Sequence, residues 1–187
     1  MKIYSHSKLS TFEQCKLKYK FKYIDKIVPK IERSIETHLG DSVHQALEWL
    51  YSEMKERGRT GPIPSLDDVL IFYLEKWKEN YKPEMIIVKQ DLTAEDYMQK
   101  GVQFIIDYYI LNQPFSDNTL ELEKKILFEI DPEKGTRIQG FIDRLVYNLK
   151  TGEYEIHDYK TANSAPRSDH GETDRQLALY AIAIKEI

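Results

Sequence analysis

The apolar positions change period twice along the chain. Near the start, Leu9, Phe12, Cys15, Tyr19 and Tyr23 recur at spacings of three and four, which predicts a helix with one apolar stripe. Ser10 followed by Glu13 predicts a capping box near its start. A competing signal overlaps it, because "KLKYKFKY" alternates strictly and also fits a strand. The segment "GDSVHQALEWLYSEMKER" predicts a second helix, with Val43, Leu47, Leu50 and Met54 on one side and Gly40 or Asp41 near its start. "GRTGPIPS" breaks it. Helical spacing returns over 66–81 and 94–112, on either side of a stretch containing Pro83. From residue 119 the period is two: "TLELEKKILFEI", "RIQGFIDRLVYNL" and "EYEIHDYKTA" are joined by "DPEKG" and "KTG", short Gly-bearing turns that predict a three-strand antiparallel meander. "ETDRQLALYAIAIKEI" is helical again. Several helices, three strands and a final helix predict an α/β or α+β fold whose sheet is built late in the chain.

At 187 residues, one domain over 1–187 is expected, with a helical part (1–115) and a sheet plus helix (119–187). No apolar run reaches the roughly 20 residues that a membrane helix needs, and the N-terminus lacks a secretion signal's apolar core. The expected setting is soluble and cytoplasmic. The single cysteine, Cys15, cannot form an internal disulfide. The net charge of −4 argues against indiscriminate nucleic-acid binding, yet residues 1–33 hold nine Lys or Arg against three acids, so the rest of the chain is acidic. Such asymmetry fits a basic face for phosphates beside an acidic body able to hold cations, or simply a solvated helix face.

The candidate chemistry lies in "EIHDYKTA". In an extended strand Ile156, Asp158 and Lys160 share one face, and Glu155, His157 and Tyr159 share the other. Asp143, in the preceding strand, can be brought beside Asp158 by antiparallel pairing. Two facing carboxylates repel unless a proton or cation lies between them. Mg2+ takes oxygen ligands, and a nearby lysine can stabilise charge developing on a phosphate, which together suit metal-assisted phosphodiester hydrolysis. The alternative is an exposed Asp158–Lys160 surface pair, with Asp143 paired to its neighbour Arg144. Elsewhere Gln176 and Tyr180 share a face of the last helix beside Arg175, and His44 lies one turn after Gly40 and one turn before Glu48.

The ordered set "SHSKLSTFEQCKLKYKFKY", "GDSVH", "GFIDR", "DYKT" and "QLALY" resembles the RecB-like branch of the PD-(D/E)XK nuclease superfamily over nearly the whole chain. The resemblance implies a restriction-endonuclease-like fold, a central mixed sheet flanked by helices, and a metal-dependent DNA nuclease, in the first instance an exonuclease. His44, Asp143 and Asp158 would ligate Mg2+ or Mn2+, with the Tyr159 carbonyl as a further ligand. Lys160 would position the attacking water or stabilise the transition state, and Gln176 and Tyr180 would match the family's QxxxY motif. The basic N-terminal region, with Lys16, Lys18 and Lys20, and Arg175 near the last helix would contact DNA. Implied partners are DNA and a helicase or other repair or CRISPR proteins; oligomeric state stays open. The alternative is a noncatalytic nucleic-acid-binding or assembly module that keeps the fold.

The chain departs from the family pattern in three places. Ile142 stands where the first motif has Pro, at little cost because the acid does the ligation. Cys15 falls where iron–sulfur members such as AddB and the CRISPR adaptation nucleases place their first cluster ligand, but the three later cysteines are lacking. No cluster is therefore expected, and Cys15 is expected to be a packed helix residue. The sequence ends at Ile187, where the resemblance leads one to expect further structure. A helix starting at Asp41 would also place His44 near a positive dipole end, unfavourable for a bound cation; an earlier start removes the objection.

Overall fold

A computed structural model describes residues 2–29, 33–58, 61–89, 91–161 and 175–185. Two compact units divide the chain. One comprises residues 1–29, 123–142 and 164–187, the other residues 30–122 and 143–163. Ala162 at the end of "EYEIHDYKTA", the loop "NSAPRSDHG" and the first residues expected in the last helix lie outside the described residues.

The second unit is built on three helices, α3 (Ile35–Arg57), α4 (Leu66–Asn80) and α5 (Ala94–Asn112). Each begins at a hydroxyl residue that satisfies a free N–H of the first turn. Ser34 accepts from the Thr37 N–H, while Ser65 with Asp68 and Thr93 with Asp96 form reciprocal capping boxes. α3 ends at Gly58, whose φ of 75° suits glycine. The apolar faces meet in one core that includes Leu39, Val43, Leu47, Leu50, Val69, Tyr73, Trp77, Tyr97, Ile105 and Tyr109. α4 and α5 match the segments predicted for them. α3 begins at Ile35, ahead of the expected start at Gly40 or Asp41, because Ser34 caps it and Ile35 and Leu39 are already buried.

The other unit holds β1 (Lys2–Tyr4), α1 (His6–Gln14), α2 (Lys16–Tyr19), a π-helical turn over Lys20–Ile24, and α6 (Arg175–Lys185). The single N-terminal helix gives way to two, because Cys15 adopts an extended backbone (φ −158°, ψ 106°) that stops α1. The Cys15 N–H closes α1 on the Thr11 carbonyl, and its sulfur accepts from the Lys18 N–H at 3.4 Å to open α2. Cys15 is exposed, not packed, and so is Phe12. The expected Ser10–Glu13 capping box is also replaced. α1 is capped by Ser5, which accepts from the Lys8 N–H, and Ser10 lies inside the helix with its hydroxyl 3.2 Å from His6 Nε2. The strand reading of "KLKYKFKY" fails for the same segment, which is helical throughout.

Two long strands, β2 (Thr119–Asp131) and β3 (Thr136–Asn148), and the short β4 (Glu153–His157) complete a four-stranded sheet. Its order is β1-β3-β2, with β4 also paired to β3. β1 runs parallel to β3, Ile3 opposite Arg137, whereas β4 runs antiparallel, Arg144 opposite His157. The mixed, helix-flanked sheet agrees with expectation, but the three-strand antiparallel meander does not describe it. The added strand is three residues long, too short for its alternation to register in the sequence. β4 also stops at His157, so the facing predicted for Asp158 and Lys160 by strand alternation does not apply; both follow the strand. Among the described residues, no helix is long and apolar enough to cross a membrane.

Candidate metal centre

The candidate centre lies within the unit formed by residues 30–122 and 143–163. β3 supplies Asp143, which is 8% exposed. Immediately after β4, the chain passes Asp143 so that the Tyr159 N–H donates to its Oδ2 at 2.7 Å. α3 supplies His44, whose Nε2 donates to the Tyr159 carbonyl at 2.7 Å, while its Nδ1 lies 3.5 Å from Asp143 Oδ2. The Tyr159 ring meets the His44 ring edge-on at 5.6 Å. One turn earlier on α3, Gly40 faces the chain after β4, and a Cβ there would stand 3.4 Å from Thr161 Oγ1, an ordinary van der Waals contact.

This arrangement carries a chemical demand. A carbonyl only accepts, so the His44 Nε2 holds a proton. If the ring is neutral, the Nδ1 lone pair faces a carboxylate oxygen, an arrangement that calls for a positive charge between them. Burial, above all, pushes the Asp143 carboxyl above its usual range; the Tyr159 N–H and His44 act the other way, and Asp158 raises it further. An imidazole nitrogen and a buried carboxylate thus face one another where a cation would offset their repulsion, with the Tyr159 carbonyl held at the other ring nitrogen. That donor set suits a divalent ion such as Mg2+ or Mn2+. The residues present fit such an ion.

Asp158 and Lys160 complete the local set. Their side chains form an ion pair, with Asp158 10% and Lys160 55% exposed. The pair expected between them is present, with its lysine exposed and its aspartate mostly covered. Asp143 is not paired to its neighbour Arg144, whose guanidinium binds Asp117 at 2.8 Å. Strand alternation already places residues 143 and 144 on opposite faces, and that signal in the sequence separates them. The objection to His44 also disappears, since α3 starts at Ile35 and His44 lies well inside it.

The remaining sequence candidates belong to the other unit. On α6, Gln176 Nε2 donates to the Tyr180 hydroxyl at 2.9 Å, and Tyr180 is 6% exposed. Arg175 donates to Glu13 at 2.6 Å and to Ser10 at 3.2 Å, so its guanidinium is engaged by α1. The hydrogen bond from Arg175, chiefly, holds the Glu13 carboxyl below its usual value. Lys16, Lys18 and Lys20 are exposed on the helical segment after Cys15; Lys16 lies over the Phe12 ring and Lys20 is 3.9 Å from Asp25. The structure therefore gathers His44, Asp143, Asp158, Tyr159 and Lys160 in one unit, and Gln176, Tyr180 and Arg175 on one helix of the other.

A family model of the PD-(D/E)XK nuclease superfamily matches residues 3–187. No curated protein matches the chain.

Proposed function

The chain belongs to the PD-(D/E)XK nuclease superfamily, and from that premise we propose that it is a divalent-metal-dependent deoxyribonuclease that hydrolyses phosphodiester bonds from DNA ends. The observation that carries this reading is the convergence of His44, the buried Asp143 and the Tyr159 carbonyl, with Asp158 and Lys160 one residue to either side of Tyr159.

His44, Asp143, Asp158 and the Tyr159 carbonyl are the groups that would hold Mg2+ or Mn2+. When bound, such an ion supplies Lewis acidity at a phosphate oxygen and lowers the pKa of a bound water. The Tyr159 N–H fixes one Asp143 oxygen and leaves the other lone pairs of that carboxylate for ligation. Lys160, half-exposed and paired with Asp158, exchanges that carboxylate for a non-bridging phosphate oxygen when substrate arrives, and stabilises the charge that builds there as the scissile bond breaks. Gln176 and Tyr180, joined by their own hydrogen bond, act in placing the DNA strand. Lys16, Lys18 and Lys20, with Arg175, contact the DNA backbone. None of these groups reads base identity, so sequence specificity is low. The resemblance to RecB-like nucleases supports a role in DNA repair, recombination or CRISPR adaptation, with a helicase or related protein as the partner we propose.

The test uses end-labelled linear single- and double-stranded DNA and a closed circle, each with Mg2+, Mn2+ or EDTA. The expected result is metal-dependent degradation of linear DNA with the circle spared. Cleavage of the circle overturns the exonuclease assignment, and intact DNA under every metal condition overturns the nuclease reading.

A further inference from the structure

Arg144 has no exposed surface at all, and a buried cation is retained at a large desolvation cost. Its partners all lie within the unit that carries the candidate metal centre. Nη1 donates to Asp117 Oδ2 at 2.8 Å and to Thr119 Oγ1 at 3.3 Å; Nη2 donates to His157 Nδ1 at 3.0 Å. The guanidinium also sits 4.0 Å from the Tyr51 ring centroid. Tyr51 hydrogen-bonds the Tyr108 hydroxyl at 2.8 Å, and the Tyr108 ring meets the Tyr159 ring edge-on at 5.6 Å.

These contacts hold the piece of backbone on which the candidate centre depends. Arg144 and His157 are register partners, and His157 is the last residue of β4. Beyond it the chain leaves the sheet and sets down Asp158, the Tyr159 carbonyl and Lys160. On the opposite face of β3, Asp143 receives the Tyr159 N–H. One strand dipeptide therefore presents a candidate ligand on one side and grips the base of the ligand-bearing segment on the other. The planar fork of arginine reaches Asp117, Thr119 and His157 together, which a lysine ammonium on a flexible stem does not reproduce.

Resting on the metal-site reading above, we propose that Arg144 is a positioning residue: through His157 and the Tyr51–Tyr108–Tyr159 contacts, it fixes the Tyr159 carbonyl and Asp158 against Asp143, and so sets the affinity of the centre for its divalent ion.

The test measures Mn2+ affinity by calorimetry, without DNA, and the thermal midpoint in EDTA. The proteins are the wild type, Arg144→Lys, His157→Leu, His157→Gln and Tyr73→Phe. Loss of a group that orients metal ligands weakens metal binding about 10- to 100-fold. Arg144→Lys and His157→Leu are expected to weaken Mn2+ binding at least about 10-fold, and His157→Gln, whose amide oxygen still accepts from Arg144, to restore most of it. Tyr73→Phe removes a hydrogen bond to the Met98 carbonyl elsewhere in the unit; it is expected to lower the midpoint without changing Mn2+ affinity. His157→Leu carries the test if Arg144→Lys does not fold. Wild-type affinity in Arg144→Lys and His157→Leu overturns the proposal, and so does equal weakening by Tyr73→Phe. A wild type that binds no Mn2+ overturns the metal-site reading and this inference with it, whereas a binding wild type with unchanged variants overturns this inference alone.

Discussion

Gly140 shows how one missing side chain positions a candidate functional pair. A Cβ built there would stand 2.6 Å from Tyr180 Cε1, inside van der Waals contact, so β3 leaves the ring its place only because residue 140 is glycine. Tyr180 in turn accepts the hydrogen bond of Gln176. Gly140→Ala is expected to displace the ring and cost about 1–3 kcal/mol, the usual penalty of overpacking. Urea unfolding of the variant measures it, and an unchanged midpoint contradicts the close packing. The glycine of "GFIDR" was visible in the sequence, but not the ring it accommodates, because that contact joins segments far apart in the chain. Asp143 and His44 were legible through the ordered motifs. The Tyr159 N–H that fixes Asp143 was not, since a backbone donor leaves no mark in a residue pattern. Arg144 illustrates the opposite failure: proximity in sequence suggested an ion pair with Asp143, and the pleat of β3 turned it the other way.

At the scale of elements, helices with strong periodicity and polar caps were read well. α4 and α5 begin at Ser65 and Thr93, each followed three residues later by an aspartate that closes a capping box. The hydrogen bond from the cap hydroxyl, first of all, holds Asp68 and Asp96 below the usual carboxylate range. The N-terminal helix was misread because Cys15 breaks the periodic stripe without a proline or glycine to announce it. The expected start of α3 is too late because its first turn, "IETHL", lies ahead of Gly40. That first turn buries His38, whose ring packs on Trp77 at 4.3 Å and whose Nε2 donates to the Trp77 carbonyl at 3.1 Å. Nδ1 has no hydrogen-bond partner among the described residues. Burial, chiefly, lowers the His38 pKa from the ordinary 6.5; nearby Arg33 lowers it further, and the Trp77 carbonyl and Asp41 oppose the shift. With a folded pKa below the unfolded value, the folded state binds fewer protons in that window. The stability is complete above about pH 6.5 and is lost as pH falls through the folded pKa. The thermal midpoint is expected to fall between pH 7 and 5, and less steeply in His38→Gln. Equal slopes in the two proteins contradict the assignment.

For the whole molecule, the sequence conveyed the class of architecture and the family, and the connectivity of the sheet exceeded what it could convey. Parallel pairing of β1 with β3 is a long-range contact made by three residues, and periodicity reports only on local segments. The charge asymmetry was legible and corresponds to an exposed basic segment, Lys16–Lys22, in one unit, while the convergent donors His44, Asp143 and Tyr159 lie in the other. The division falls within β2 and β3, so long strands are shared by both units, and Asp143 opens the part of β3 that belongs with the candidate centre.

The central claim is that this centre hydrolyses DNA with a divalent ion and with Lys160 at the scissile phosphate. The most direct measurement is the single-turnover cleavage rate of labelled linear DNA at saturating Mn2+, for the wild type and for Lys160→Ala. Lys160→Ala is expected to slow cleavage at least about 100-fold, the scale of a lost transition-state donor, and EDTA to abolish the wild-type rate. A Lys160→Ala protein that cleaves at the wild-type rate, or a wild type that cleaves equally in EDTA, would contradict it.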